Sequence, residues 1–128
     1  MSNWNRTLPR NPCVRDGDAR ARRLRLMSTA ALVDAQRGAL SRTGAIHAAF
    51  EAGYLVLLSV LPEHIAKDAQ DHPNVELVQR ACRLLCLQES DRDFGCELAR
   101  HYYGPTQSAS LSDCLLWARR VRVSVGIS

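Results

Sequence analysis

Residues 45–61 read AIHAAFEAGYLVLLSVL. Only His47 and Glu51 interrupt this apolar run, and no proline does. A helix that is apolar on every side must be covered on every side. The stretch therefore predicts a central helix with other helices packed around it. Its uncharged part, residues 52–62, is 11 residues long, against the roughly 20 that a membrane-spanning helix needs. A transmembrane helix is excluded on length.

Outward from that centre, the pattern stays helical. A first helix is expected over residues 19–37, with Leu24, Met27, Ala31 and Leu32 at the i, i+3, i+4 spacing of one face. Asp16 or Asp18 is placed to cap it. Gly38 suits its C-terminal end, and Ser41 or Thr43 the next N-cap. The central helix stops at Pro62. Residues 62–73, PEHIAKDAQDHP, are polar, with room for one helical turn. A third helix is expected from Pro73 to Leu87 with Val75, Leu77, Val78, Ala81, Cys82, Leu84 and Leu85 inward. A fourth opens with a capping box over residues 90–93 and runs to Tyr102. Gly104-Pro105 ends it. A fifth opens with a second box at residues 110–113 and turns Leu111, Cys114, Leu115, Ala118 and Val121 inward. Residues 1–17 read as an irregular, basic N-terminal arm, and residues 18–128 as one domain. The chain of 128 residues is thus expected to be an all-α, antiparallel up-down bundle of about five helices, without repeats, low-complexity segments or strands.

The net charge of +4 is unevenly spread. Residues 1–44 hold nine Arg against three Asp, residues 45–105 five basic against nine acidic groups, and residues 106–128 three Arg against one Asp. Arg20, Arg22, Arg23 and Arg25 crowd the start of the first helix, where cations oppose the helix dipole. An anionic partner would relieve that opposition, as would the acidic middle of the chain. Arg119, Arg120 and Arg122 lie near the end of the last helix, where cations suit the dipole. These seven arginines are the candidate contacts for an acidic protein partner or RNA. The N-terminus has no apolar segment of the secretory kind, so a cytoplasmic protein is expected. Five cysteines at unpaired spacings fit reduced thiols buried as small hydrophobes, with Cys13 in the arm the exposed one.

Three constellations carry possible chemistry. In ARHYYGP, residues 99–105, Arg100 can hold phosphate, His101 can move a proton near neutral pH, and Tyr103 lies beside them. Packing and helix capping would use the same residues equally well. Four His and five Cys are a stock of metal ligands, but only Cys82 and Cys86 share a ligand spacing, and they lie in an apolar run. No metal and no cofactor are expected. Glu51 on the buried helix is costly as an anion unless it is paired. His47, one turn away, or an arginine from a neighbouring helix is the expected partner.

Three segments resemble the HEPN family of small bacterial helical bundles. They are TGAIHAAFEAGYLVLLSVL after the first helix and turn, His72-Pro73 before an apolar helix, and residues 100–104 followed by LSDCLLWARRVRVSV. The resemblance covers roughly residues 24–125. It implies a homodimer. Active members of that family are metal-independent RNases that use an Arg and a His with four to six residues between them. At that spacing His101 is preceded by Cys96, Gly95 and Phe94; Arg100 is adjacent and Arg92 too far. The resemblance therefore implies a non-catalytic member, an interaction module for a protein or RNA. The rival expectations are an RNase working through Arg100, His101 and Tyr103, and a helical adaptor or secretion-type chaperone.

Overall fold

A computed structural model describes residues 12–67, 69, 72–104 and 109–128, with side chains from residue 19 onward. Its elements are α1 (Pro12–Gln36), α2 (Arg42–Ser59), α3 (Glu63–Ala66), α4 (Val75–Leu84), α5 (Glu89–Arg100) and α6 (Leu111–Ser124). The protein is an all-α bundle, with no strand among the described residues. No described helix is long and apolar enough to cross a membrane.

The centre is α2, as its composition demands. Every residue from Ala52 to Ser59 is buried. Ser41 caps the helix, its Oγ accepting the Gly44 amide at 3.0 Å. α1 runs antiparallel along it. At one end Arg20 donates to the carbonyls of Leu58 and Leu61, adding side-chain donors where the regular helical ladder of α2 stops. Half-way along, the buried Ser28 hydroxyl donates to the Ala52 carbonyl. Leu24, Ser28, Leu32 and Ala35 form the buried stripe of α1. Met27, expected inside, is 39% exposed and belongs to the neighbouring flank.

Trp117 on α6 is the keystone of the other side. Its ring stacks on Phe50 at 5.8 Å and 3°, and its indole N–H donates to the Asp91 carbonyl at 2.9 Å. It lies directly against Gly53 of α2 and Gly95 of α5. Only residues without a Cβ let the two helix backbones approach the ring this closely. Arg42, in the first turn of α2, donates to the Ala109 carbonyl, so α2 and α6 begin at the same end of the bundle. Tyr54 closes the α3–α4 connection: its buried hydroxyl donates to the Ala69 carbonyl and accepts the Asn74 amide.

Several boundaries differ from expectation. α1 begins at Pro12, because proline lacks only an N–H that a first turn leaves unbonded; Asp16 and Asp18 are therefore inside the helix and not its cap. Residues 1–11 of the expected arm lie outside the described residues. Asn74, not Pro73, leads into α4, its side chain accepting the Leu77 amide. α5 starts at Glu89 behind Gln88, without a side-chain cap. The box expected at residues 90–93 thus falls within the helix, where Glu89 and Asp91 favour the positive end of the dipole. The box at α6 is formed: Ser110 Oγ accepts the Asp113 amide at 3.0 Å.

Candidate functional site

The C-terminal end of α5 sorts its residues into two groups. Arg100 and His101 both reach back to Glu97; Arg100 forms an ion pair with it, and His101 Nε2 stands 3.5 Å from its other oxygen. Tyr103 lies edge-on to Tyr102 at 4.8 Å and 6.3 Å from His72. The three residues proposed for RNA cleavage are thus neighbours, but Arg100 and His101 both face a carboxylate, which offsets the charge of the arginine.

Tyr102 joins this end of α5 to the middle of α2, a connection the sequence does not show. Its ring stacks on His47 at 4.5 Å and 24°, and its hydroxyl donates to the Glu51 carboxylate. Its helix predicts a buried Glu51, but the residue stands exposed at the rim of the bundle. Partial burial still raises its pKa, against the opposing pull of His47 and Tyr102. Burial, with Glu51 and Tyr103 beside it, pushes the Tyr102 hydroxyl up to about 12. Tyr102 therefore holds its proton through the neutral range, and the cluster braces α2 against α5.

The seven candidate arginines divide sharply. Arg20 caps α2. Arg25 Nε donates to Ser59 Oγ at 3.3 Å. Arg120 pairs at 3.1 Å with the buried Asp91. Arg122 is itself buried: one terminal nitrogen donates to Ser28 and Thr29, and the rest of the fork to the Ser128 carbonyl. Burial lowers its pKa. These four hold the fold together. Arg22, Arg23 and Arg119 are exposed and make no ion pair within 4.0 Å among the described residues.

Two of those three lie on α1, beside apolar side chains that face out. Leu26 is 73% and Val33 43% exposed, and Ala30 between them is exposed too. A shallow groove of about 310 Å³ follows the α1–α2 seam, with Met27, Ala30, Ala31 and Asp34 on one wall and Glu51 and Leu55 on the other. Sequence periodicity could have exposed this second stripe. Residues 23, 26, 27, 30, 33 and 34 recur at three- and four-residue steps, in parallel with the buried set.

No three His, Cys, Asp or Glu side chains gather for a metal ion among the described residues. Cys82 is buried while Cys86 points out, so the one ligand-like spacing is split between core and solvent. Burial pushes the Cys82 thiol up to about 12 and that of Cys114 to about 11. These thiols stay protonated near neutrality and unreactive. The side chain of Cys13 lies outside the described residues.

No family model, curated protein or solved structure matches this chain.

Proposed function

We propose that the protein is a helical interaction module of HEPN type, without catalysis of its own, and that it docks a protein through the outer face of α1. One observation carries this reading. α1 is an edge helix that leans on α2 along its length and meets α6 around Ser28 and Thr29. Its other side leaves Leu26, Ala30 and Val33 in the open, flanked by Arg22 and Arg23 without acidic partners among the described residues. Apolar side chains in a row, rimmed by charge, are the composition of a docking surface. The α5 end supports the non-catalytic part. Glu97 beside Arg100 and His101 repels the phosphate that an RNase must hold.

A photo-crosslinking residue placed at Leu26 or at Val33 tests the reading, with Leu84 and Leu116 as exposed apolar controls. Covalent protein adducts in cells are expected from the α1 positions and not from the controls. Equal yields at all four sites would remove the docking face. Binding of labelled single-stranded RNA whose salt dependence falls in Arg22→Ala plus Arg23→Ala would replace a protein partner with RNA. RNA cleavage lost in a folded His101→Ala protein would overturn the non-catalytic reading.

A further inference from the structure

The stripe on α1 is self-complementary, and this identifies an occupant for it. A twofold dimer requires that if residue i meets residue j of the second copy, j also meets i. Two helices related in this way run antiparallel, and residues on one flank of the first meet residues on the same flank of the second. Arg23 and Asp34 are 11 residues apart, close to three whole helical turns, so they share a flank. Their midpoint lies between Ser28 and Thr29. Leu26 and Val33 share the opposite flank of the stripe, and their midpoint lies between Thr29 and Ala30. The two midpoints differ by one residue, about 1.5 Å of helix, which is well within the reach of an arginine.

We infer that α1 is the seam of a homodimer, a second copy crossing it antiparallel near Thr29 and Ala30. Leu26 then packs on Val33 of the partner subunit, and the same contact repeats across the axis. Arg23 meets Asp34 of the partner subunit, again twice. The charges suit that exchange. Arg23 has no ion pair within 4.0 Å among the described residues, and Asp34 has only a loose one, 3.8 Å to Arg37 with both groups in solvent. Ala30 and Ala31 supply the close approach. Their small side chains leave space along the α1–α2 groove, and Met27 of the partner subunit, which comes opposite them, is long and flexible enough to fill it. The inference rests on reading the outer face of α1 as a docking surface and specifies what docks there.

Light scattering on the full-length protein after size exclusion, across micromolar concentrations, tests it. The native chain is expected to be a dimer. Leu26→Glu is expected to weaken association about tenfold or more while the circular-dichroism melt of the monomer holds; Val33→Glu serves equally should Leu26→Glu misfold. Arg23→Asp and Asp34→Arg, each of which sets like charges together, are expected to weaken the dimer several-fold. The double variant is expected to return it to native affinity. A native monomer overturns the inference, and so does a dimer indifferent to Leu26→Glu and Val33→Glu. A charge-swapped double variant no tighter than its single parents overturns the antiparallel register. A native monomer that still forms α1-specific crosslinks in cells leaves the docking face in place with a different protein on it. Thus failure of this inference is distinguishable from failure of the reading on which it rests.

Discussion

Cys86 and Gly126 occupy the same position in the same helix-ending motif. After α6 the Ile127 amide bonds to the Arg122 carbonyl and the Gly126 amide to that of Val123; after α4 the Leu87 amide bonds to Cys82 and the Cys86 amide to Arg83. The motif needs a left-handed residue at this point. Gly126 adopts φ +85° without strain, whereas Cys86 takes φ +55° with a Cβ. The left-handed conformation costs an ordinary residue about 1–2 kcal/mol, and glycine returns part of that through its freer unfolded chain. Cys86→Gly is therefore expected to stabilise the protein by about 0.5–1 kcal/mol in urea titrations, and Cys86→Val to destabilise it. Glu51 offers a test with a pH signature. Its folded pKa lies above the reference value of 4.5, so the native state disfavours its ionised form. The stability held by the protonated group is complete below the unfolded pKa and is lost as pH rises through the folded one. Glu51→Gln is expected to raise the melting temperature at pH 7, with a gain that shrinks towards pH 4. A gain of equal size at both pH values would show that ionisation is not its cause. The sequence already pointed to His47, one turn away, as a neighbour of Glu51. Tyr102 was hidden, because nothing in the local pattern says which distant helix end will close over α2.

At the level of the elements, composition was a good guide to α2 and a poor one to helix ends. A run of apolar residues with two polar interruptions could only be a covered helix, and the exposed Glu51 marks where the cover ends. Ends depend on which backbone groups find partners. The start of α1 at Pro12 and that of α5 at Glu89 each depart from the strongest capping pattern in the sequence. Ser28 is not legible as an α1 core position, since a hydroxyl is buried only where a carbonyl such as that of Ala52 waits for it. Trp117 is absent from the expected inner face of α6, although it completes the spacing Cys114, Trp117, Ala118, Val121. Its place makes the α2–α6 contact intolerant of bulk. A Cβ added at Gly53 would meet the indole ring, and one at Gly95 would stand 2.8 Å from it. Gly53→Ala is expected to cost about 1–3 kcal/mol through overpacking, despite alanine's better helix propensity. An unchanged or raised melting temperature would mean that the ring moves aside freely.

The molecule as a whole has one continuous core, which joins α1, α2, α4, α5 and α6 through shared side chains. Trp117 touches residues of α2 and α5, and Arg122 ties α6 to α1 and to the Ser128 carbonyl. Such a domain is expected to unfold as one unit. In a Trp4→Phe background, Trp117 fluorescence and the helical circular-dichroism signal should fall together in urea; curves that part would show that one side of the bundle melts first. By itself the sequence determined that the protein is helical, that residues 45–61 lie at its centre, and that its positive charge sits towards the two ends of the chain. Periodicity and charge count are local properties, so they survive without knowledge of the fold. Tertiary structure alone decided what each charge does. Arg20, Arg25, Arg120 and Arg122 face carbonyls, hydroxyls or a buried carboxylate of other segments, while Arg22 and Arg23 stand exposed on the outer side of α1. For the arginines of α1 the difference lies in which side of that helix leans on α2, and that is settled by the packing of the bundle as a whole.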